Sequence, residues 1–129
     1  HLGVSNIAAA QLDALCAAAR VPPPFVQNRC YARTGWDGDV RAACARHRVV
    51  YQGFSLLTAN QRVLTHPMLA AVGRRHGLEP APTVFAFART VGMLPLTGSS
   101  ARAHLDADLA AVAVALTSSE VDTIVRLGA

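Results

Sequence analysis

One stretch of the sequence combines a buried strand with residues that could bind a ligand at its end. It runs from Val49 to Thr58, begins as a short apolar run with β-branched and aromatic residues, and continues into Gly53, Phe54 and Ser55. A short apolar run of this kind is typical of a buried strand. Ligands of parallel α/β sheets bind at the carboxyl ends of the strands. The aromatic ring and the hydroxyl therefore predict a binding function for this strand end.

The other reactive residue types do not form a familiar catalytic or metal site. The chain has no lysine, so no mechanism that requires one can run on this chain alone. Its three cysteines, Cys16, Cys30 and Cys44, have an odd count and no Cys-x-x-Cys spacing. They predict buried free thiols with a structural role for Cys30, in a reducing compartment such as the cytoplasm. The five histidines are spread out, so no metal site is predicted.

Composition limits the class of protein and its partners. The 129 residues are enough for one domain with a core. The net charge of +4 comes from arginines on several predicted helix faces, without interleaved aromatic residues, so no nucleic-acid partner is expected. No apolar run approaches the roughly 18 residues of a membrane span, so no membrane is expected. The first residue is His1, and we expect the chain to be cut from a longer one.

The elements that would position the binding residues alternate between strands and helices. The predicted strands lie at residues 3–6, 25–28, 49–58 (with the functional tip at its end) and 93–97. The predicted helices lie at residues 8–19, 37–47, 66–77, 80–91 and 101–113, with a last short helix from residue 117. Thr117 and Glu120 have the Thr-x-x-Glu spacing of a capping box, which predicts the start of the last helix.

This alternation implies a parallel sheet with right-handed crossovers. Doubly wound sheets and (β/α)8 barrels both fit the pattern. No Gly-x-Gly-x-x-Gly follows a strand, which disfavours a dinucleotide fold of the Rossmann type. A complete barrel needs about 250 residues, and this chain holds roughly half of that.

Four motifs at the ends of consecutive predicted strands resemble the aldo-keto reductases, which are NAD(P)-dependent oxidoreductases on a (β/α)8 barrel. In chain order they are Gly-Val-Ser-Asn at 3–6, Val-Gln-Asn-Arg-Cys-Tyr at 26–31, Gly-Phe-Ser-Leu-Leu at 53–57 and Leu-Thr-Gly-Ser-Ser at 96–100, followed by Asp-Ala-Asp-Leu at 106–109. The second motif exchanges the two amides of the family's Val-Asn-Gln.

The resemblance implies an α/β fold that is the C-terminal half of a (β/α)8 TIM barrel, with about four strands and flanking helices. Residues 1–129 would form a single partial aldo-keto reductase domain, the cofactor-binding half, from the fifth strand to the eighth helix. The family's catalytic aspartate, tyrosine, lysine and histidine lie on the first four strands. We therefore assign no catalytic residue to this chain.

The resemblance also assigns cofactor-binding roles at the strand ends. Ser5, Asn6 and Asn28 would hydrogen-bond the nicotinamide carboxamide, and Phe54 would stack on the nicotinamide ring. Ser55 and the backbone near Leu57 would bind the pyrophosphate. Gly98 and Ser99 would bind the adenosine-side phosphate. Three positions depart from the family: Gly98, His104 and Asp108 stand where lysine, arginine and asparagine are usual. NADP is the family's usual cofactor, and NAD stays open because these departures remove positive charge; Arg102 could replace part of it.

Structural roles compete with several of these assignments. Ser5 and Asn6 could cap the first helix. Asn28 taken alone is an ordinary turn residue, and His104 an exposed helix residue. Trp36 could line a substrate pocket or pack against its own helix.

Three functions remain open from the sequence. The chain could be part of an enzyme that reduces a small aldehyde or ketone with NAD(P)H. It could instead be a catalytically inactive half-barrel that binds nucleotide or self-associates, completed by a second copy or by the missing N-terminal half. Lastly, it could be a truncated fragment with no independent role.

Overall fold

The computed structural model describes residues 2–128. Its strands are β1 (Gly3–Ser5), β2 (Phe25–Arg29), β3 (Val50–Phe54) and β4 (Leu94–Pro95). Its α-helices are α1 (Ala9–Ala18), α2 (Gly38–His47), α3 (Gln61–Leu64), α4 (Pro67–Arg75), α5 (Pro80–Thr90), α6 (Arg102–Ala111) and α7 (Ser118–Arg126). A 3₁₀ turn occupies Ala32–Thr34 between β2 and α2.

The four strands form one parallel sheet in the order β1-β2-β3-β4. Successive side chains of a strand point to opposite faces, and here the two faces differ sharply. Val26 and Tyr51 are buried, whereas Gln27, next to Val26, is exposed. The buried face packs against helices, and we call the other one the open face. Ser5, Gln27 and Gln52 form one row across it, because their Cα atoms are partners in the register.

The core lies between the sheet and the helices. Trp36 is fully buried, and its ring centroid lies 4.8 Å from that of Phe87 on α5. Its indole nitrogen donates a hydrogen bond of 3.4 Å to the Ile124 carbonyl on α7. Trp36 therefore joins α5 and α7 in the core and does not line a pocket.

The start of α1 is not capped by Ser5 or Asn6, the two residues considered for that role in the sequence. The N-cap residue is Ala8, whose backbone N–H donates to Gln11 Oε1 at 2.9 Å. The preceding N–H, that of Ile7, donates to Asn28 Oδ1 at 3.0 Å. Neither Ser5 nor Asn6 supplies a side-chain cap in the structure.

Two other differences concern the second half of the chain. The strand predicted at 93–97 is limited to Leu94–Pro95. Leu96 N–H still donates to the Gly53 carbonyl at 2.9 Å. The nitrogen of Pro95 therefore faces the outer edge of the sheet, where a proline is tolerated. Helix α3 was not predicted, because four residues are too few to show a helical period. Thr117 and Glu120 do form the predicted capping box at the start of α7.

Candidate functional site

The parallel sheet brings the predicted binding residues to one edge. Asn6 directly follows β1, Phe54 ends β3, and Gly98 lies three residues beyond β4. A cleft of about 300 Å³ opens between the ends of β3 and β4. It is lined by Ser55, Leu56, Leu57, Thr58, Phe85, Leu96, Thr97 and Gly98. Three residues assigned to the cofactor phosphates, Ser55, Leu57 and Gly98, therefore share one cleft.

A buried asparagine fixes the backbone on both sides of this edge. Asn60 is 5% exposed, and its Oδ1 accepts a 2.7 Å hydrogen bond from Ala32 N–H. Its Nδ2 donates to the carbonyls of Cys30 at 3.0 Å and Leu56 at 2.9 Å. The loop after β2 and the loop after β3 are thereby held together. Only the polar type of Asn60 was visible in the sequence, and no spacing rule marks this role.

The turn out of β3 aims Ser55 away from the strand direction. Ser55 has a positive φ of 57°, a left-handed conformation that is uncommon for serine. The turn closes through a hydrogen bond of 2.9 Å from Ala59 N–H to the Ser55 carbonyl. Left-handed residues of this type are often found at ligand sites.

The loop before α6 offers backbone groups at a helix start. A side-chain carbon added at Gly98 would meet nothing within 4 Å, so the surface there is open. Ser99 Oγ accepts from Ala101 N–H at 3.1 Å and lies 3.4 Å from His104 Nδ1. The first N–H groups of a helix have no partner inside it, and they favour an anion such as phosphate.

The charges around this loop are already largely paired with each other. Thr97 Oγ1 donates to Asp108 Oδ2 at 3.1 Å. Arg102, which could supply part of the positive charge that the family usually has here, donates to Asp106 Oδ1 at 2.8 Å. This pair is exposed and therefore weak.

A second cleft, of about 760 Å³, lies between the ends of β1 and β2. Its wall includes Asn6 and Asn28, which the sequence assigned to the nicotinamide carboxamide. Asn28 is only 7% exposed. Its Nδ2 donates to the Ile7 carbonyl at 2.9 Å and to Asp37 Oδ2 at 2.8 Å, and its Oδ1 accepts from Ile7 N–H. Both donors of Asn28 are used within the chain, so only one acceptor position remains for a ligand.

The amide on the open face belongs to the preceding residue. Gln27 is exposed, lies in register with Ser5, and donates from Nε2 to Gln52 Oε1 at 3.2 Å. Within residues 2–128, the side-chain Oε1 of Gln27 and the Nε2 hydrogens of Gln52 have no hydrogen-bond partner. The resemblance assigned Asn28 and not Gln27, because the order of these two amide residues is exchanged relative to the family. Only the alternation of side chains between the two faces of the sheet shows which of them faces the open side.

Asp37 connects this second cleft to the buried face of the sheet. Its Oδ2 accepts from Tyr51 Oη at 2.8 Å in addition to Asn28. Burial raises the pKa of Tyr51, and the neighbouring Cys30 and Asp37 raise it further. Tyr51 therefore stays a neutral hydrogen-bond donor. The residues Gly35, Trp36 and Asp37 are all left-handed, an arrangement that turns the Asp37 carboxylate towards β2 and β3.

The nicotinamide shelf proposed by the resemblance lies between the two clefts. Phe54 is half-buried at the carboxyl end of β3, and its Cα is the register partner of Arg29. Arg29 Cζ lies 5.5 Å from the ring centroid of Tyr31, and Arg33 Cζ lies 4.7 Å from the same centroid. This group was not predicted, because a strand end and the turn after it have no periodic signature.

The thiols offer no reactive group at the site. Cys30 and Cys44 are buried and Cys16 is half-buried, and all three are free. Burial raises the pKa of the Cys30 thiol, and likewise that of Cys44, to about 11. Thiols of this kind are poor nucleophiles at neutral pH. Among residues 2–128, no three side chains of histidine, cysteine, aspartate or glutamate come together as a metal site would require.

Comparison with known proteins gives a consistent structural result. No family model and no curated protein matches the sequence. Solved structures do match: an aldo-keto reductase from Brucella melitensis has 21% identity and a TM-score of 0.82, over 97% of this chain and 47% of its own. An aldo-keto reductase of the silkworm Bombyx mori has 20% identity and a TM-score of 0.86, over 98% of this chain and 42% of its own. An aldo-keto reductase complexed with NADPH has 19% identity and the same TM-score.

These matches confirm the predicted fold class. The four parallel strands and their flanking helices superpose on part of a (β/α)8 barrel, and the chain spans about half the length of the structures it matches. No helix of residues 2–128 is long and apolar enough to cross a membrane. This chain resembles the aldo-keto reductases and has the fold of about half of their barrel.

Proposed function

We propose that this chain is the cofactor-binding part of an NAD(P)H-dependent aldo-keto reductase, an enzyme that reduces a small aldehyde or ketone by hydride transfer. The observation that carries the proposal is the shared cleft at the ends of β3 and β4. Ser55, Leu57 and Gly98 line it, and Ser55 directly follows Phe54, the last residue of β3. One of the matched aldo-keto reductases was crystallised with NADPH. Ligands of parallel α/β folds bind at this end of the strands.

In this proposal the dinucleotide lies across the carboxyl ends of all four strands. Phe54 stacks on the nicotinamide ring, which needs only a flat apolar surface. Ser5 and Asn6 bind the carboxamide, and the available oxygen of Gln27 adds an acceptor for its NH₂ group. The buried Asn28 acts mainly by holding the β1–α1 loop through Ile7.

The phosphates occupy the other end of the same edge. Ser55 and the backbone near Leu57 bind the pyrophosphate in the cleft. Gly98 and Ser99 bind the adenosine-side phosphate at the start of α6, with His104 and Asp108 near the adenosine. NADP is the cofactor expected by resemblance, and NAD is the alternative, since Arg102 is already paired with Asp106.

In the proposed enzyme, the residue that donates a proton to the substrate and the other catalytic residues lie outside this chain. Of the two tyrosines, Tyr51 is buried and bound to Asp37, and no lysine exists to assist a proton transfer. The purified chain should therefore reduce no aldehyde, and its reduction of a simple aldehyde with NADPH would contradict this assignment. The three free cysteines fit a reducing compartment such as the cytoplasm.

Calorimetric titration with NADPH and NADH tests the nucleotide site. Phe54→Ala should weaken binding about tenfold, because a stacked aromatic ring contributes roughly 1–3 kcal/mol per base. Val50→Ala is the matched control, since Val50 lies on the same face at the opposite end of β3. No binding of either dinucleotide at millimolar concentration would overturn the proposal.

The open face favours a second candidate, a half-barrel that functions by assembly. Val50 and Leu94 on this face are 42% and 39% exposed. Within residues 2–128, β1 and β4 each pair on one side only. A second copy of the chain or the missing half of a barrel could cover both edges. This candidate does not require dinucleotide binding, so the titration separates the two.

A further inference from the structure

Two arginines share one aromatic ring at the carboxyl end of β2. Arg29 is the last residue of the strand, and Arg33 lies in the 3₁₀ turn that follows. Their guanidinium carbons lie 5.5 Å and 4.7 Å from the centroid of the Tyr31 ring. A planar guanidinium next to an aromatic face is attracted to it and loses part of its freedom. Tyr31 therefore holds two positively charged groups against one ring, and both arginine side chains are exposed.

No carboxylate within residues 2–128 forms an ion pair with either of these charges. Within the part of the chain that the structure describes, neither Arg29 nor Arg33 takes part in an ion pair or donates a hydrogen bond. Asp37 lines the same cleft as Arg29, and its Oδ2 accepts from Tyr51 and Asn28, but it forms no ion pair with Arg29 or Arg33. Two neighbouring like charges repel each other, and an anion placed between them removes that repulsion.

The position of the arginines shows which part of a bound complex they would meet. Arg29 and Phe54 are register partners on the open face, and Cys30 N–H donates to the Phe54 carbonyl at 3.1 Å. The cleft assigned to the phosphates lies on the β4 side of Phe54, with Ser55 in its wall. Arg29 lies on the β2 side. Arg29 and the Tyr31 ring that Arg33 contacts are therefore next to the nicotinamide end, where the substrate would lie.

We propose that Arg29 and Arg33 bind the carboxylate of an anionic substrate, so that the substrate class is carbonyl compounds that also carry a carboxylate. This inference rests on the proposed function, because it takes Phe54 as the nicotinamide shelf. A guanidinium presents two parallel N–H groups to the two oxygens of a carboxylate, which gives direction as well as charge. The second guanidinium, on the same ring, completes a positively charged wall for that group.

Calorimetry on the whole chain with saturating dinucleotide tests the assignment. The probes are 4-carboxybenzaldehyde and 4-methylbenzaldehyde, which have similar shape and differ in charge. The chain has no lysine, so neither probe can form a lysine imine. We expect the carboxylate probe to bind at least about tenfold more tightly, and Arg29→Gln and Arg33→Gln each to remove most of that difference. Arg74→Gln, an exposed arginine on α4, makes the same change in net charge and should have no effect.

Inorganic pyrophosphate, titrated into the chain without dinucleotide, distinguishes the substrate carboxylate from a cofactor phosphate. If Arg29→Gln weakens pyrophosphate binding more than carboxylate binding, the arginines serve the dinucleotide and the inference is overturned. Equal affinity for the two aldehydes, or equal behaviour of Arg29→Gln and Arg74→Gln, also overturns it. Dinucleotide binding without discrimination between the aldehydes defeats this inference alone. Absence of dinucleotide binding defeats the proposed function instead, while carboxylate binding that depends on Arg29 and Arg33 would still support the carboxylate site.

Discussion

The amide pair at the end of β2 shows what residue types alone can and cannot predict. The sequence correctly marks this strand end as polar, but it places the ligand contact on Asn28. In the structure Asn28 holds backbone groups on the helix side, and Gln27 presents its amide on the open face. The choice depends on which of two neighbours faces which side, and a one-residue shift of a strand reverses every side chain. The cofactor assignments themselves remain predictions.

Asn60 is the single residue on which the geometry of both strand ends most depends. Replacing it with alanine leaves Ala32 N–H and the carbonyls of Cys30 and Leu56 without their buried partners. Buried groups that lose a hydrogen bond cost about 1–3 kcal/mol each, and such costs are not additive. We expect Asn60→Ala to lower the free energy of unfolding by about 3 kcal/mol, measured by urea denaturation.

The neighbouring Gln61→Ala is the control for that measurement. Gln61 is exposed, and its side chain makes one hydrogen bond within the described structure, from Nε2 to the Leu57 carbonyl at 3.2 Å. Its replacement should change the free energy of unfolding by less than about 0.5 kcal/mol. If Asn60→Ala behaves like Gln61→Ala, the loops after β2 and β3 are held by something other than this side chain.

At the scale of elements, the sequence predicts the alternation well and the short pieces poorly. The three longer strands and the helices at 9–18, 38–47, 67–75, 80–90 and 102–111 agree with their predicted positions to within a few residues. β4 is shorter than its apolar run predicts, and Pro95 fits there because its nitrogen faces the outer edge of the sheet. Helix α3 follows from Asn60 and from local turns, and neither has a periodic signal. These short elements depend on tertiary contacts, which local sequence propensity does not predict.

The attachment of α7 to α4 depends on one nearly buried carboxylate. Glu120 is 4% exposed and accepts from Thr117 N–H at 2.9 Å, and it lies 3.1 Å from His76 Nε2. Arg75 Nε is 3.5 Å away. The Thr117 backbone hydrogen bond, and then His76, lower the pKa of Glu120 below its ordinary value near 4.5, against the opposing effect of burial. Ionised Glu120 thus stabilises the contact between α4 and α7.

The lowered pKa fixes the sign of the pH dependence. A carboxylate whose pKa is lower in the folded state contributes stability above the pKa of its unfolded state, and loses that contribution as the pH falls through the folded-state value. Glu120→Gln should therefore lower the free energy of unfolding by about 2 kcal/mol at pH 7. The difference from the wild-type chain should shrink as the pH falls below about 4.5.

Denaturation with urea at pH 7, 5 and 3.5 gives the comparison. Asp122→Asn on the same helix is the charge-matched control, since Asp122 is exposed and forms no ion pair in the described structure. It should leave the stability profile unchanged. A difference between Glu120→Gln and wild type that stays constant down to pH 3.5 would show that shape, and not ionisation, makes the contact.

At the scale of the whole molecule, the order of motifs predicts the fold better than any single motif does. The strand–helix alternation leaves a doubly wound sheet and a barrel open, and the four motifs at successive strand ends favour the barrel. The structural matches agree, with nearly all of this chain covering less than half of each barrel. Whether the open face is covered is a question of contacts between chains or domains, which no local pattern in the sequence encodes.

The open face leads to a prediction about association. It combines the apolar side chains of Val50 and Leu94 with the edges of β1 and β4. Exposed sheet edges beside apolar surface favour pairing with another chain. We expect the purified chain to show a mass that rises with concentration in light scattering. Leu94→Arg should weaken this association about tenfold or more, because it places like charges against each other across the contact.

Met68→Arg separates this effect from a general change in charge. Met68 is 47% exposed on α4, on the helix side of the sheet, so its replacement adds the same charge away from the open face. If both variants reduce the mass equally, charge and not the open face controls association. A wild-type chain that stays monomeric at every concentration would show that the open face is tolerated in water without a partner. The half-barrel would then be a self-sufficient unit, and the dinucleotide titration alone would decide whether it keeps a function.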